Sequence, residues 1–434
     1  MAGSPMIIPR WAMHELLAQL ETHRVVSVVG CRQSGKTTIL LTTPLPNVKF
    51  QSLDVQANFS AAVADPSYFV RRTSPEIFVI DEIQKVPQLI GEIKFQVDRN
   101  PEKGQYIISG SSDYRKLPQA NESLAGRAGL VRVRTFSEAE QRGMQPGFLQ
   151  ALFDGLLPLS LKFECSKEMV LEAAIRGGYP EILSIKTQAG RSRWYASYLQ
   201  NQVLLDMRAQ WDTRKMPICE KVMECAAIFS SRELKKAALA NQFAIAWQTL
   251  DKYWSAIEAM FLVDMVDGWT KKDYDRPGSS PKGFMTDSGL MAHYLHILNP
   301  AMILESNEKS QNEGGKLVET WAYNQLMPEV DLNPTWQLNY FRSRSHEIDF
   351  LITNETGHIV GIEVKASESV SSDDFRHLKW FQDLVGKDNF NGIILYAGNE
   401  VRSGGNGLFA LPMSALWSDF SKWEKLIMTA PRPF

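Results

Sequence analysis

A glycine-rich segment near the start of the chain has the pattern of a phosphate-binding loop. Residues 30–37 read GCRQSGKT, lie between an apolar run and a helical one, and match G-x-x-x-x-G-K-[ST]. Backbone N–H groups of such a loop attract phosphate, its lysine reaches the β- and γ-phosphates, and its last hydroxyl binds Mg²⁺. We expect ATP to be held by Gly30, Arg32, Gln33, Ser34, Gly35, Lys36, Thr37 and Thr38, with Lys36 also catalytic and Thr37 also a metal ligand.

An acidic pair further along the chain supplies the second half of this chemistry. Residues 77–80, IFVI, have the composition of a strand that is buried on both faces, and Asp81 and Glu82 follow them directly. Ligands of open α/β sheets bind at the carboxyl ends of the strands. We expect Asp81 to hold Mg²⁺, directly or through water, and Glu82 to polarise the attacking water. The loop and the acids together predict ATP hydrolysis.

Two further kinds of side chain are candidates for contacts with the γ-phosphate. A hydroxyl that ends the predicted strand 105–109, that of Ser109 or of Ser111, is placed to sense this phosphate. Arg127 is a candidate for stabilising charge in the transition state, in its own subunit or in a neighbouring one. The sequence is at least as compatible with a turn serine and a surface arginine.

Two strands in the last third of the chain carry the remaining chemistry. Residues 346–352 and 359–366 alternate polar and apolar side chains, and residues 354–357 have the composition of a turn. A loop centred on Thr356 would place Asp349 opposite Glu363, with Cβ atoms about 5 Å apart and the acids on the face away from the apolar layer.

Such a pair of carboxylates has the chemistry of a divalent-cation site. Asp349 and Glu363 could share Mg²⁺ or Mn²⁺, and Lys365 could orient a nucleophilic water or stabilise charge on phosphorus. An amphipathic hairpin with a charged outer face, and no catalysis, is the competing interpretation.

The elements around these residues indicate more than one domain. Alternating β-rich and helical runs predict an α/β layer structure for the first part, with strands at 24–29, 48–53, 76–81, 105–109 and 130–134. The middle reads as a helix at 230–241, a second helix at 244–260, a strand at 261–266 and a polar loop at 267–283. This order predicts a winged helix, but Lys252 is the one cation of its second helix, which favours a structural or protein-contact role over reading DNA.

Composition limits the partners. The 434 residues are 44% hydrophobic and 22% charged, as in a soluble globular protein, and no apolar run is long enough for a membrane span. With a net charge of −2, contact with DNA would need local patches such as Arg191, Arg193, Arg208, Arg214 and Lys215. The four cysteines lack metal-ligand spacing and fit reduced thiols, so we expect a cytoplasmic protein.

Several strings spread along the chain resemble one protein family. GCRQSGKTT, SLD, VIDEIQKVP, ISGSS, SLAGR, GGYPEIL, DSGL, EIDF and EVKAS occur in the order found in bacterial and archaeal AAA-type ATPases with a C-terminal DUF4143 domain. The resemblance implies an AAA+-like fold for the first domain. Ser109 and Ile348 depart mildly from the family, which often has threonine and valine there.

The spacing D-x₁₃-E-x-K resembles the PD-(D/E)xK nuclease superfamily. Glu319, in a predicted helix at 316–325, matches a further acid that some members use on the metal. A helix at 373–384 and a strand at 392–396 complete an α-β-β-β-α-β order.

These observations predict a multi-domain α/β protein in three segments: an AAA+-like P-loop ATPase domain at 1–165, a helical and winged-helix region at 166–300, and a PD-(D/E)xK-like domain at 301–434. We expect an ATP-hydrolysing protein that acts on DNA through a metal-dependent, nuclease-like C-terminal domain. The alternative is a nucleotide-driven switch whose C-terminal domain binds a partner or DNA without cleaving it. A homo-oligomer is compatible with either.

Overall fold

The chain divides into two compact units in a computed structural model that describes residues 8–113, 124–204, 206–207, 216–271, 280–305 and 308–425. One unit comprises residues 1–135 with 255–262, and the other comprises residues 136–254 with 263–434. The three predicted segments, with boundaries near residues 165 and 300, stay a prediction. Among the described residues, no helix has the length and apolar character needed to cross a membrane.

The first unit is built on a parallel five-stranded sheet in the order β2-β3-β4-β1-β5. Its strands are β1 Val25–Val29, β2 Val48–Ser52, β3 Ile77–Asp81, β4 Tyr106–Gly110 and β5 Ala128–Arg132. Its helices are α1 Ala12–Thr22, α2 Lys36–Thr42, α3 Gln56–Ala64, α4 Pro66–Phe69 and α5 Leu89–Arg99. Strand β4 lies between β1 and β3.

The fifth strand begins two residues earlier than predicted. Ala128 and Gly129 pair with Val25 and Val26, yet small residues give little strand signal. A Cβ atom on Gly129 would lie 2.0 Å from Oε1 of Gln19 on α1, so a larger residue would require the end of that side chain to move.

The second unit begins with helices. They are α6 Glu138–Gln141, α7 Phe148–Phe153, α8 Lys167–Arg176, α9 Gln188–Tyr198 and α10 Met216–Ile228. Strand β6 Leu156–Leu157 pairs with a strand near the end of the chain, Glu424–Lys425. The predicted basic positions Arg208, Arg214 and Lys215 lie outside the described residues.

A small antiparallel sheet follows in the order β7-β9-β8. Its strands are β7 Arg232–Glu233, β8 Val263–Val266 and β9 Lys282–Met285. Two helices lie between β7 and β8 in the chain, α11 Lys236–Gln242 and α12 Trp247–Ala259. The predicted helix at 230–241 begins only at Lys236. The serines before it do not cap a helix, because Ser231 has φ of +61° and its N–H donates to the carbonyl of Gly283.

The last part of the chain forms a mixed six-stranded sheet in the order β10-β11-β12-β13-β15-β14. Its strands are β10 Gln337–Arg342, β11 Glu347–Thr353, β12 Ile359–Lys365, β13 Phe390–Tyr396, β14 Arg402–Gly405 and β15 Leu408–Pro412, and the strand Glu424–Lys425 is β16. The helices of this part are α13 Ser288–Tyr294, α14 Ala301–Leu304, α15 Glu308–Asp331 and α16 Arg376–Val385.

This sheet has the element order that the sequence predicts. Helix α15 precedes three antiparallel strands, and α16 connects β12 to the parallel strand β13. A buried cluster beneath α16, which includes Ile348, Leu351, Phe375 and Phe390, holds the helix on the sheet. The core therefore fixes the hairpin that carries Asp349 and Glu363.

Candidate functional site

The phosphate loop connects β1 to α2 in the first unit. Gly30, Gln33 and Gly35 have φ of +155°, +61° and +98°, a curled backbone that glycine adopts without strain. A Cβ atom on Gly30 would lie 2.2 Å from the carbonyl oxygen of Val133, so no other residue fits there.

Two hydroxyl groups contact the first acid, that of Thr37 in the loop and that of Ser109 in β4. Thr37 Oγ1 donates to Asp81 Oδ2 at 3.0 Å, and Ser109 Oγ donates to the other oxygen of the same carboxylate. Lys36 Nζ is buried and donates to the carbonyls of Gly30 and Cys31 at 2.9 and 2.8 Å. Burial lowers the pKa of Lys36, although Glu82 and Asp81 oppose this shift.

The second acid, Glu82, is held by two side chains that follow strands β3 and β4 in the chain. Glu82 has φ of +60°, a left-handed conformation that costs a non-glycine residue about 1 kcal/mol. Gln84 Nε2 donates to Glu82 Oε2, and the same nitrogen lies 2.9 Å from Ser111 Oγ. Burial raises the pKa of Glu82, while Lys36 and Arg32 act against the shift. Gln84 was not among the residues predicted from the sequence, because its place two residues after Glu82 is the only feature that marks it.

The loop fits a nucleotide with Mg²⁺. Ser34 Oγ is buried and has no hydrogen-bond partner among the described residues, as expected of an atom that faces a ligand. Arg10, also missed by the sequence analysis, donates to the carbonyls of Ser34 and Arg134 at 2.8 and 2.6 Å and so supports the loop from outside. Gln33, Thr37 and Thr38 are exposed.

Arg127 is not brought to this loop. Its carbonyl accepts from the N–H of Val25 at the start of β1, which is the edge of the sheet opposite the phosphate loop. Its guanidinium donates to Asp98 at 2.9 Å and to the carbonyl of Ala125 at 2.8 Å. The structure therefore gives Arg127 no role at the site of its own subunit, and a role in a neighbouring subunit stays a prediction.

The C-terminal hairpin has the predicted register. Phe350 pairs with Ile362 and Thr353 with Ile359, so the loop is centred on Thr356 and Asp349 lies across from Glu363. Glu363 is only 4% exposed, and the side chain of Asp349 is 17% exposed. Asp349 Oδ2 accepts from the N–H of Val364 at 2.9 Å.

A buried lysine occupies the space between the predicted metal ligands. Lys282, the first residue of β9, places Nζ 2.8 Å from Glu347 Oε1, 3.2 Å from Glu319 Oε1 and 3.8 Å from Asp349 Oδ1. Burial would lower the pKa of Lys282, but the three carboxylates raise it well above its ordinary value. Among the described residues, no group of three or more His, Cys, Asp and Glu side chains is arranged to hold a metal ion.

The remaining residues of the hairpin are paired differently. Lys365 Nζ lies 3.6 Å from Glu363 Oε2 and 3.7 Å from Asp374 Oδ1. Burial and the neighbouring Asp349 raise the pKa of Glu363 to about 8, which favours the protonated carboxyl. The ammonium of Lys282 contacts two of the predicted metal ligands, Glu319 and Asp349, so this site does not fit Mg²⁺ or Mn²⁺. Sequence reasoning missed Lys282 because it lies far from the hairpin in sequence.

Comparisons with known proteins agree with the first site. A family model described as an AAA domain matches residues 22–141, and domains of unknown function, DUF8612 and DUF4143, match residues 167–301 and 314–416. Two mycobacterial proteins described as uncharacterized, Rv2008c of Mycobacterium tuberculosis and Mb2031c of Mycobacterium bovis, are each 26% identical over 371 residues, covering 84% of this chain and 76% of theirs.

Solved structures show weaker likeness. The Walker-type ATPase PABY2304 of Pyrococcus abyssi is 12% identical with a TM-score of 0.39, covering 67% of this chain and 96% of its own. The RuvB Holliday junction branch migration motor of Thermotoga maritima is 17% identical with a TM-score of 0.27, covering 58% and 88%. At these scores neither structure bears on the arrangement of this chain.

The phosphate loop, Asp81 and Glu82 lie within the range of the AAA domain and converge at one edge of its sheet. The chain therefore contains a P-loop ATPase domain whose residues 22–141 match the AAA model. It carries a DUF4143 domain in its C-terminal part.

Proposed function

We propose that the first unit hydrolyses Mg²⁺-bound ATP with Glu82 as the residue that orients and polarises the attacking water. The observation that carries this proposal is the contact between Thr37 and Asp81 at 3.0 Å, with Glu82 next in the chain. When bound, Mg²⁺ would neutralise charge on the β- and γ-phosphate oxygens. Lys36, which now donates to carbonyls of its own loop, would turn to the γ-phosphate.

Hydrolysis in this arrangement serves as a switch. Gln84 connects Glu82 to Ser111 at the end of β4, so both side chains respond to the γ-phosphate together. Loss of that phosphate would release the loops around Lys36 and Asp81, a transition that other nucleotide switches use to change partner binding.

We further propose that the switch controls DNA binding by the second unit without cleavage. Support comes from the succession β7, α11, α12, β8 and β9, which is the element order of a winged helix. Exposed Lys235 and Lys252 lie on or beside its two helices, where the charges of Asp251 and Lys236, paired at 2.9 Å, cancel each other.

Metal-dependent cleavage of DNA is the second candidate function. The position of Asp349 across from Glu363, with Lys365 two residues further, favours it. The contacts of Lys282 with Glu319 and Asp349 count against it, because the ammonium lies where a divalent cation would bind. The non-cleaving switch is therefore the better supported of the two.

The test is to measure DNA binding and DNA integrity in the same samples. Linear, circular and single-stranded DNA would be incubated with the full chain and Mg²⁺ or Mn²⁺, with ATP, a non-hydrolysable analogue or no nucleotide. We expect binding that differs between the analogue and ADP, no cutting, and loss of the nucleotide effect in Lys36→Ala. Cutting that is lost in Lys365→Ala would establish the nuclease instead. Absence of binding to every DNA would reject DNA as the partner.

A further inference from the structure

Lys282 reaches the carboxylate cluster from a different part of the fold than the acids themselves. Glu319 lies on α15, and Glu347 and Asp349 lie on β11, whereas Lys282 opens β9 of the small sheet. Its side chain is 0% exposed, and its backbone is fixed on both sides by pairing with Val266 and Glu233. A fully buried lysine held in this way persists only if its charge is compensated.

The compensation is close to complete. The three carboxylates that contact Lys282 are balanced by its own ammonium and by Lys316, whose Nζ lies 2.8 Å from Glu319 Oε2. Arg342 lies 3.8 Å from Glu347. Because the cluster already holds its counter-charges, a divalent cation entering it would be repelled by both lysines.

A divalent cation would also collide with the lysine. Mg²⁺ and Ca²⁺ bind carboxylate oxygens at about 2.0–2.6 Å, so an ion shared by Glu319 and Asp349 would lie in the space that Lys282 Nζ occupies. The ion and the ammonium exclude each other.

An independent observation indicates that the cluster is suited to a further ligand. Glu363 Oε1 is buried and has no hydrogen-bond partner among the described residues, and its carboxyl is only 4% exposed. It lies across the hairpin from Asp349. With the ammonium gone, Glu319, Asp349 and Glu363 would present the oxygen ligands that hard cations require.

We propose that the ammonium of Lys282 is the resident cation of this cluster and keeps it closed to divalent ions, and that removing it opens a Mg²⁺ or Mn²⁺ site on Glu319, Asp349 and Glu363. The proposal rests on the cluster alone. It does not require the ATP switch or DNA binding, so this proposal and the proposed function can each fail without the other.

The test is a Mn²⁺ titration of the nucleotide-free full chain, followed by the electron paramagnetic resonance signal of free Mn²⁺. We expect Lys282→Met to gain one site per chain, and Lys282→Met/Asp349→Asn to lose it again. Lys365→Met is the matched control, because it removes a lysine beside Glu363 while Lys282 remains seated, and it should gain no site. Weak binding of Mn²⁺ at Thr37 and Asp81 is the same in all variants, so it cancels when the variants are compared.

A second comparison leaves Lys282 in place. Wild type and Asp349→Asn should bind the same number of Mn²⁺ ions, since the native cluster takes none. A Mn²⁺ ion that wild type binds and Asp349→Asn loses would overturn the proposal, as would a folded Lys282→Met chain that gains no site. If Lys282→Met folds poorly, Mn²⁺ should raise its melting temperature by more than that of wild type, where only the weak binding at Thr37 and Asp81 contributes; an equal rise in the two would also overturn the proposal.

Discussion

Glu82 takes its position from side chains outside the phosphate-loop motif. Its left-handed backbone turns the carboxylate toward Gln84, and Gln84 also contacts Ser111. Ser109, the other hydroxyl that the sequence offered for the γ-phosphate, donates to Asp81. The two serines therefore have different contacts: Ser109 bonds to Asp81, the proposed metal ligand, and Ser111 contacts Gln84, which holds Glu82.

Replacing Gln84 should separate catalysis from binding. Gln84→Ala leaves the phosphate loop intact but removes the donor that positions Glu82, so we expect kcat for ATP hydrolysis to fall roughly tenfold or more while KM changes little. Gln88→Ala is the matched control, because Gln88 is exposed on the same segment. Steady-state ATPase kinetics measure both constants, and an unchanged kcat would remove Gln84 from the mechanism.

The raised pKa of Glu363 has a consequence for stability. Burial and Asp349 raise the pKa of Glu363 to about 8 in the folded chain, whereas a glutamate in an unfolded chain has a pKa of about 4.3. Between these values the unfolded chain has lost a proton that the folded chain keeps. The free energy of unfolding therefore falls as pH rises through this window.

The variant Glu363→Gln cannot ionise and should escape this loss. We compare the free energy of unfolding of Glu363→Gln with that of wild type at each pH. The difference in favour of the variant should be about 1–3 kcal/mol larger at pH 8 than at pH 5. Urea unfolding at several pH values gives the difference, with the exposed Glu181→Gln as control. Curves for Glu363→Gln and wild type that stay parallel across this range would contradict a raised pKa.

At the scale of elements, two of the strings that resemble the family, GGYPEIL and DSGL, are joined by one side chain. Asp287 of DSGL caps α13 by accepting from the N–H of Leu290 at 2.9 Å, and it also accepts from the N–H of Gly178 of GGYPEIL at 2.8 Å. The hydroxyl of Tyr195 on α9 donates to the same carboxylate at 3.1 Å. A single buried side chain thus connects three elements of the second unit.

Removing this carboxylate should cost more than removing an ordinary helix cap. Asp287→Ala leaves buried donors without an acceptor, so we expect a loss of about 2–4 kcal/mol in the free energy of unfolding. Asp65→Ala, at the exposed start of α4, removes a cap with one acceptor contact, and we expect a loss of about 1 kcal/mol. Chemical unfolding measures both, and equal losses would show that the contact adds nothing beyond capping.

At the scale of the whole molecule, the division into two units predicts separable unfolding. Each unit has its own sheet and buried core, and multidomain chains commonly unfold in more than one transition. Calorimetry of the full chain should therefore show two transitions.

A bound nucleotide should shift one of them. A non-hydrolysable ATP analogue with Mg²⁺, at about 100 times its Kd, would stabilise the first unit by about 2.7 kcal/mol. The other transition should stay where it is, and Lys36→Ala should abolish the shift. A single transition that moves as a whole would show that the two units unfold together.

The sequence by itself determined the local features of this protein. The phosphate loop, the strand before Asp81 and the hairpin centred on Thr356 follow from residue types and short spacings, because turn residues and alternating apolar residues act over a few positions.

The tertiary structure decided what lies beside these features. Arg127 lies at the far edge of the sheet, Gln84 connects Glu82 to Ser111, and β9 brings Lys282 into the acids of the hairpin. The lysine and its carboxylates are far apart in the chain, and an isolated lysine in a loop carries no signal of its partners. Whether a carboxylate pair holds a metal ion or an ammonium depends on which group fills the space between them, and packing alone decides that.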